Sequence, residues 1–594
     1  MIHKIKIPYK FIVLAMLAIG LSSCEKFLTR VPLDQVSADS FWQTPDQLDA
    51  YILGVYDWLP AALSTGQLSP FVDDAYSDLM TKGTMITWLN GQDGVIPATG
   101  GLWVWSQIRQ INIFFDNCHK CTSSFAAWKQ TYGEACFLKA YKYHELVRAF
   151  GDVPWYSSEV TMSDKANLYK ARDKRSVVVD SIMSLMDRAV ANLGLRSLVG
   201  VNRINLESAL ILKSRIALYE ASWAKYHKGF PEASDVNAPK LFAKAIEAFT
   251  QFKTLVGPFA GKIYTTGNTN KDYFNLFNRY DLTPIQEVTL SRRTSSASGL
   301  LSLFGDNVKF VAMGNTGFTS SWASKYLTKQ GTSVDNLATS VKKGGASLTE
   351  LATMLDSRFG QTIFIPGDVL TAAGTQGVGS PVGLFILPAM NNSTSVYNVP
   401  TGFEPKFGYD DRVAIDYLTN PVYMQNVILR IPELMLNYAE ASVELNGTYP
   451  DLTDNIDLIR ARVGMPSLTS VKPVVGSWWP DYGYPVSDVV ATIRLERTAE
   501  LAGQGFRQND WMRWRAHKLF DGKRPKGWIY EPLDYALMSP AVKGILLDAD
   551  GRLDPLQVQL GGNNYTFNAG RDYLKPIATD QLLLNTNLKQ NPGW

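Results

Sequence analysis

Few residues in this chain have the type and spacing for chemistry. Beyond Cys24 there are three cysteines, Cys118, Cys121 and Cys136. Cys118-His119-Lys120-Cys121 is a CxxC with an embedded histidine, a spacing that serves a redox dithiol or half of a zinc site. A second pair of ligands at suitable spacing is missing. A redox motif also belongs at a strand-to-helix junction, whereas Trp105 to Phe115 just before it reads as helix. Packed free thiols are expected first and a local disulfide second, since three thiols cannot all pair. His3, His119, His144, His227 and His517 show no HxH or HExxH spacing, which argues against a zinc hydrolase. With 55 acidic residues, carboxylate pairs are plentiful. A glycosidase needs two of them held about 5 to 9.5 Å apart across a cleft, which spacing in the chain does not show. Nucleophile elbow, phosphate loop and dinucleotide fingerprint are all missing from the sequence. Asp548-Ala549-Asp550-Gly551-Arg552-Leu553-Asp554 has the acids of a calcium loop, but its glycine is misplaced for an EF-hand. A turn between short strands is the simpler reading. No metal and no cofactor is expected.

Aromatic side chains are the better lead, with 15 Trp, 27 Tyr and 27 Phe. Their flat apolar faces and polar edges suit sugar rings whose hydroxyls are bonded at the rim. Most belong to a core. Trp88 in Thr84 to Gly91 and Trp322 in Phe318 to Trp322 stand in polar, irregular stretches, and they are the expected ligand contacts. Asp73, Asp74, Asn90 and Arg293 are weaker companions, because an exposed polar loop residue is more often only solvated. Trp478-Trp479 with Tyr482 and Tyr484 reads first as a packed loop.

These residues need elements to hold them. Cys136, Ala140, Tyr143, Val147 and Phe150 recur at helical steps, with Lys139, Lys142, Glu145 and Arg148 on the other side. Gly151-Asp152-Val153-Pro154 stops that helix. Ala209, Leu212, Ile216, Tyr219 and Trp223 repeat the pattern behind a cap at Asn205. Met435, Tyr438, Ser442 and Leu445 do so behind Pro432, which fits a first helical turn. Shorter helical patterns cover Val177 to Leu193, Lys240 to Leu255 and Val489 to Ala502. Tyr and Ala at the seams suggest stacked helical hairpins. The helical signal fades between Gly257 and Asn420, where Gly, Ser, Thr and Asn abound and pieces such as Thr362 to Ile365 read as short strands. Long irregular loops on a rigid array are where binding usually resides.

A length of 594 residues with 46% hydrophobic and 19% charged residues excludes a disordered or fibrous chain and allows about four domain-sized units. The formal charge is +3, and Lys4, Lys6 and Lys10 supply that excess, so the body is neutral and nucleic acid is not an expected partner. Those lysines precede the apolar run Phe11 to Leu21, an export signal. Eleven residues at about 1.5 Å each reach roughly half of a 30 Å hydrocarbon core, too short for a permanent span. Leu21-Ser22-Ser23-Cys24 resembles a bacterial lipobox, which makes Cys24 the expected lipid attachment and the sole membrane contact.

The chain resembles SusD/RagB-family outer-membrane lipoproteins of the Bacteroidota over nearly its whole length. Phe27-Leu28, Pro32 and Phe41-Trp42-Gln43-Thr44 are similar to the family's start. Gly133 to Tyr141, Glu145 to Arg148 and Phe150 to Pro154 form the most specific block, with Cys136 where a basic or polar residue is commoner. Ile428 to Arg430, Asn437 to Ala441, Leu458 to Arg462, Glu496-Arg497, Glu500, Gly505, Arg507, Asp510 and Arg513-Trp514 continue it. Arg571 to Ile577 and Gln590 to Trp594 match its end. The resemblance implies a mostly α, SusD-like fold: four TPR-like helix pairs in an α-α superhelix, carrying a loop-rich region with short strands. It divides the chain into a signal peptide (1–23), an N-terminal helical part (24–256), a loop-rich ligand-binding region (257–420) and a C-terminal part (421–594). It also implies a non-catalytic surface protein, capturing oligosaccharides or polysaccharide fragments for a SusC-like TonB-dependent transporter. Peptide capture is the alternative within the same architecture. A surface glycan hydrolase and a purely structural surface-layer role are the distant ones. The motif-block charges Glu134, Arg148, Glu440, Glu496 and Arg507 are expected to pair structurally rather than catalyse.

Overall fold

Asn205 shows how locally the helical part is specified. Its side chain accepts from the Ser208 N–H while the Ser208 hydroxyl accepts from the Asn205 N–H, a reciprocal cap that starts the helix Leu206–Tyr226. The computed structural model describes residues 41–60, 71–279, 281–293, 315–333, 348–371, 383–385, 399–406, 425–450, 452–469, 480–529 and 546–594. Its longer helices are α1 (Pro45–Gly54), α2 (Ser106–Asn117), α3 (Lys129–Phe150), α4 (Arg175–Asn192), α5 (Leu206–Tyr226) and α6 (Ala238–Leu255), followed by α7 (Ile431–Asn446), α8 (Ile456–Arg462), α9 (Asp488–Leu501) and α10 (Arg507–Arg513). Pro432 occupies the first turn of α7, where its missing N–H leaves no helical bond unmade. Gly151, at φ 73°, ends α3 in a backbone conformation that a side chain would strain.

From α2 to α7 each helix packs on the next, and α9 packs on α7, giving the stacked helical array that the hairpin spacing predicts. One contiguous apolar core runs through it, including Cys136, Ala140, Tyr143, Val147 and Phe150 of α3 and Ala209, Leu212 and Ile216 of α5. Two side chains depart from the expected faces. Lys139 is buried, its ammonium donating to Asn112 Oδ1 at 2.5 Å, because α3 is covered by α2 on the side that helical spacing assigns to solvent. Leu445, on the predicted apolar stripe of α7, is exposed. Cys118 and Cys136 are buried free thiols and Cys121 is a half-buried one, so the packed reading holds over the disulfide. Burial pushes the Cys118 thiol up to about 11 and that of Cys136 up to about 12, which keeps both protonated and unreactive.

Strands are short and pair antiparallel in twos: β1 (Met80–Lys82) with β3 (Thr316–Phe318), β2 (Val288–Arg293) with β6 (Gln425–Arg430), and β4 (Val369–Thr371) with β5 (Gly383–Leu384). The first two pairings tie the loop-rich stretch to the chain before it and after it. Thr362 ends a short helix, Arg358–Thr362, and Ile363 makes a single bridge to Pro405 in place of a predicted strand. Among the described residues no helix is long and apolar enough to cross a membrane.

Candidate ligand-binding region

A second core cluster, rich in aromatic residues, joins Phe318, Trp322 and Phe359 of the loop-rich part to Trp223 of α5 and Trp511 of α10. Thr319 caps the short helix Ser320–Ala323 by accepting from the Trp322 N–H, which turns the indole inward. There Trp322 is wholly buried, with Phe318 stacked at 4.4 Å on its ring and Phe359 at 5.2 Å. Trp88, in a single 3-10 turn, is 3% exposed. Its indole N–H donates to the Asp572 carbonyl, Trp511 lies 5.4 Å away, and the Lys575 ammonium sits 4.1 Å over the ring. Rings so enclosed offer no face to a sugar, and both tryptophans are floor rather than contact surface.

The expected polar companions separate as well. Asp74 is fully buried and accepts from the N–H groups of Gly503 and Arg507 at 2.7 and 2.9 Å, fixing the chain at the start of α10. Burial pushes its carboxyl up to about 7 against the pull of those bonds. Asn90 accepts from the Thr566 N–H through its side-chain oxygen, a cross-link inside the fold. Arg293 lies on β2 opposite Gln425, and its side chain is outside the described residues, as are Cys24 and Trp478-Trp479. Tyr482 is buried under the Arg494 guanidinium, in keeping with a packed loop. In the Asp548 to Asp554 segment, Asp548 accepts from the N–H groups of Asp550 and Arg552, Leu547 bridges to Leu553, and Asp554 takes Arg524 and Lys526. Its acids hold a turn.

Among the described side chains of the expected set, Asp73 alone is half-buried rather than buried, and it brings a neighbour that sequence reading missed. Tyr76, one turn on, is half-buried, 6.2 Å from Trp88, with the Lys82 ammonium 5.6 Å over its ring. Burial raises the Tyr76 hydroxyl, and the charges of Asp73 and Asp93 raise it further. Nothing in the local sequence marks Tyr76 as partly exposed, because it stands just past the 3-10 helix Phe71–Ala75, in an irregular stretch with no periodicity to assign its side. Tyr76 and Lys82, with Asp73 and Asp93 acting on the tyrosine hydroxyl, thus make a polar, part-aromatic edge beside the Trp88–Trp511–Phe567 cluster.

The motif-block charges are consumed elsewhere. Glu440 binds Arg513 at 2.6 Å, Arg507 binds Asp78 at 2.7 Å, and Glu134 binds Arg203 at 2.9 Å. Arg148 bonds Asn509. A larger buried network joins Glu287, Asp356, Glu496 and Glu500 to Arg358, Arg430, Arg460 and Arg462, four of each sign. Asp356 holds Arg358 two residues on, while Glu287, Glu496 and Glu500 pair with arginines from other elements rather than with their helical neighbours. Burial alone would raise Glu500, but Arg462, Arg430 and Arg358 outweigh it and hold it at about 2, as Arg513 holds Glu440 and Arg175 with His144 holds Glu220. All three values are depressed from the ordinary 4.5, so their stabilisation is complete above that pH and is lost as pH falls from there toward 2. Calorimetric scans should find the melting temperature falling steeply below about pH 4.5, where these carboxylates take up protons. A melting temperature that stays level from pH 5 down to about 2 would show them to be unpaired.

The SusD family model matches residues 277–594, and a second, described as "Starch-binding associating with outer membrane", matches residues 26–218. SusD-like protein P38 of Formosa agariphila is 24% identical over 204 residues, and the match spans 32% of this chain and only 37% of that protein's length. A SusD-like protein of Bacteroides fragilis has a similar structure, with a TM-score of 0.69, at 19% identity, over 95% of this chain and all of the other. A SusD-like carbohydrate binding protein of the same organism superposes at a TM-score of 0.68 and 18% identity, over 93% of this chain and all of that one. These likenesses establish a shared fold, and the family match covers more than half of the sequence: the chain belongs to the SusD family.

Proposed function

We propose that this is a non-catalytic, lipid-anchored surface protein that captures oligosaccharides or polysaccharide fragments and delivers them to a SusC-like TonB-dependent transporter. The family match over residues 277–594 carries this reading. The name of the Bacteroides fragilis neighbour and the description of the amino-terminal match, carbohydrate binding and starch binding at the outer membrane, favour a glycan. Cys24 takes the lipid, and the exported body stays attached through it alone. The motif-block carboxylates support the non-catalytic part, since a buried acid paired with arginine touches no substrate.

Ligand recognition falls to this edge, where the half-buried Tyr76, with Lys82 over one side of its ring, joins an aromatic surface to the charges of Asp73 and Asp93. Electrophoresis through gels containing single polysaccharides should show the wild type retarded by at least one of them. Tyr76→Ala should weaken that interaction at least tenfold, about 1.4 kcal/mol, with the melting temperature little changed. Retardation equal to wild type would remove Tyr76 from the site. Migration unaffected by every glycan, combined with failure of the intact protein to co-purify with an outer-membrane barrel, would sink the capture reading.

A further inference from the structure

The buried ion network is not closed upon itself. Arg460 meets Glu496 by one prong only, Nη1 donating to Oε2 at 2.6 Å, while its Nε donates to the Pro466 carbonyl at 2.7 Å. Nη2 of the same guanidinium is buried with no acceptor. On the carboxylate, Oε1 lies 2.7 Å from Arg358 Nη1 but receives no aligned hydrogen bond. Both side chains line one small cavity, together with the charged Lys325, Asp356 and Arg358, with Thr492, and with the apolar Leu327, Leu468, Leu495 and Ala499. Its room of about 10 Å³ is near the ~10–15 Å³ that a single water needs.

We propose that this cavity is a binding site for one ordered water, which accepts from Arg460 Nη2 and donates to Glu496 Oε1. The chemistry selects the ligand. A buried donor left unmade costs about 1–3 kcal/mol, so an empty cavity is disfavoured. Lys325 and Arg358 in the lining are already paired, with Asp78 and Asp356, which leaves Arg460 Nη2 and Glu496 Oε1 to be served. An anion such as chloride would satisfy the first but face the carboxylates of Glu496 and Asp356, and a cation would face Arg460, Arg358 and Lys325. A small neutral molecule that accepts and donates at once fits both atoms. The water completes the joint between α8 and α9, on which Arg358 of the loop-rich part rests.

Diffraction to about 1.6 Å from the chain lacking its first 24 residues, crystallised in bromide in place of chloride, tests the site. The expected result is a peak within hydrogen-bond distance of Arg460 Nη2 and Glu496 Oε1, with no anomalous signal at the bromine edge. An anomalous peak there would replace water by an anion. A dry cavity, with Arg460 swung onto a protein acceptor, would overturn the proposal outright. Both outcomes are independent of whether a glycan binds.

Discussion

Glu500→Gln is expected to lower the free energy of unfolding by about 3–5 kcal/mol, read from urea denaturation of the soluble chain. Its carboxylate receives Arg430 at 2.6 Å, Arg462 at 2.6 and 2.7 Å, and Arg358 at 3.0 Å, all without access to water. An amide of the same shape keeps one acceptor and turns a donor toward guanidinium groups that cannot accept. The substitution also leaves the buried network one negative charge short. Desolvating a guanidinium is costly, and the mutual attraction that offsets it has gone. Asp180→Asn is the control. It breaks the Lys240–Asp180 contact of 2.8 Å on the surface, and a change under about 1 kcal/mol is expected because solvent screens such pairs. Equal, small effects at both positions would mean that the network does not hold the fold together.

Trp322→Ala is expected to cost a similar amount, about 3–5 kcal/mol, by removing a fully buried indole from between Phe318 and Phe359. The cavity cannot close easily, since Tyr326 and Phe403 pack against the ring edge as well. Affinity for glycan, measured on the folded fraction, should stay within a factor of about two, because the ring has no exposed face. Tyr76→Ala should show the opposite pattern of near-normal stability and weakened binding. A Trp322→Ala protein of unchanged stability that had lost its ligand would place the indole in the site.

The difference between these two residues shows where the sequence stops being informative. Trp322 stands among Thr and Ser, and its neighbours in the chain give it the look of a loop contact. Those same residues build a cap that turns it into the core. What surrounds it comes from Phe359 and Phe403, brought in by strand pairs and bridges that close long loops. Helices were legible because their determinants are local: the Asn205 cap, Pro432 in a first turn, and apolar steps of three and four along α3 and α5. Lys139 escaped that logic, since helical spacing gives a face but not what packs on it. Pairings such as Glu440 with Arg513, 73 residues apart, have no local signal at all. The motif blocks nevertheless contain those charged residues, and the family resemblance rests on the very arginines and glutamates that the fold buries. Tyr76 lay beyond reach for the reason that exposed Trp322 in the sequence reading: burial is decided by distant chain.

Calorimetric titration of the chain lacking its first 24 residues with defined oligosaccharides, each mixture then analysed for cleavage, tests capture most directly. Heat of binding with the oligosaccharide recovered intact, and weakening of at least tenfold in Tyr76→Ala, is the expected result. New reducing ends in the recovered sugar would contradict it, since capture leaves every glycosidic bond intact.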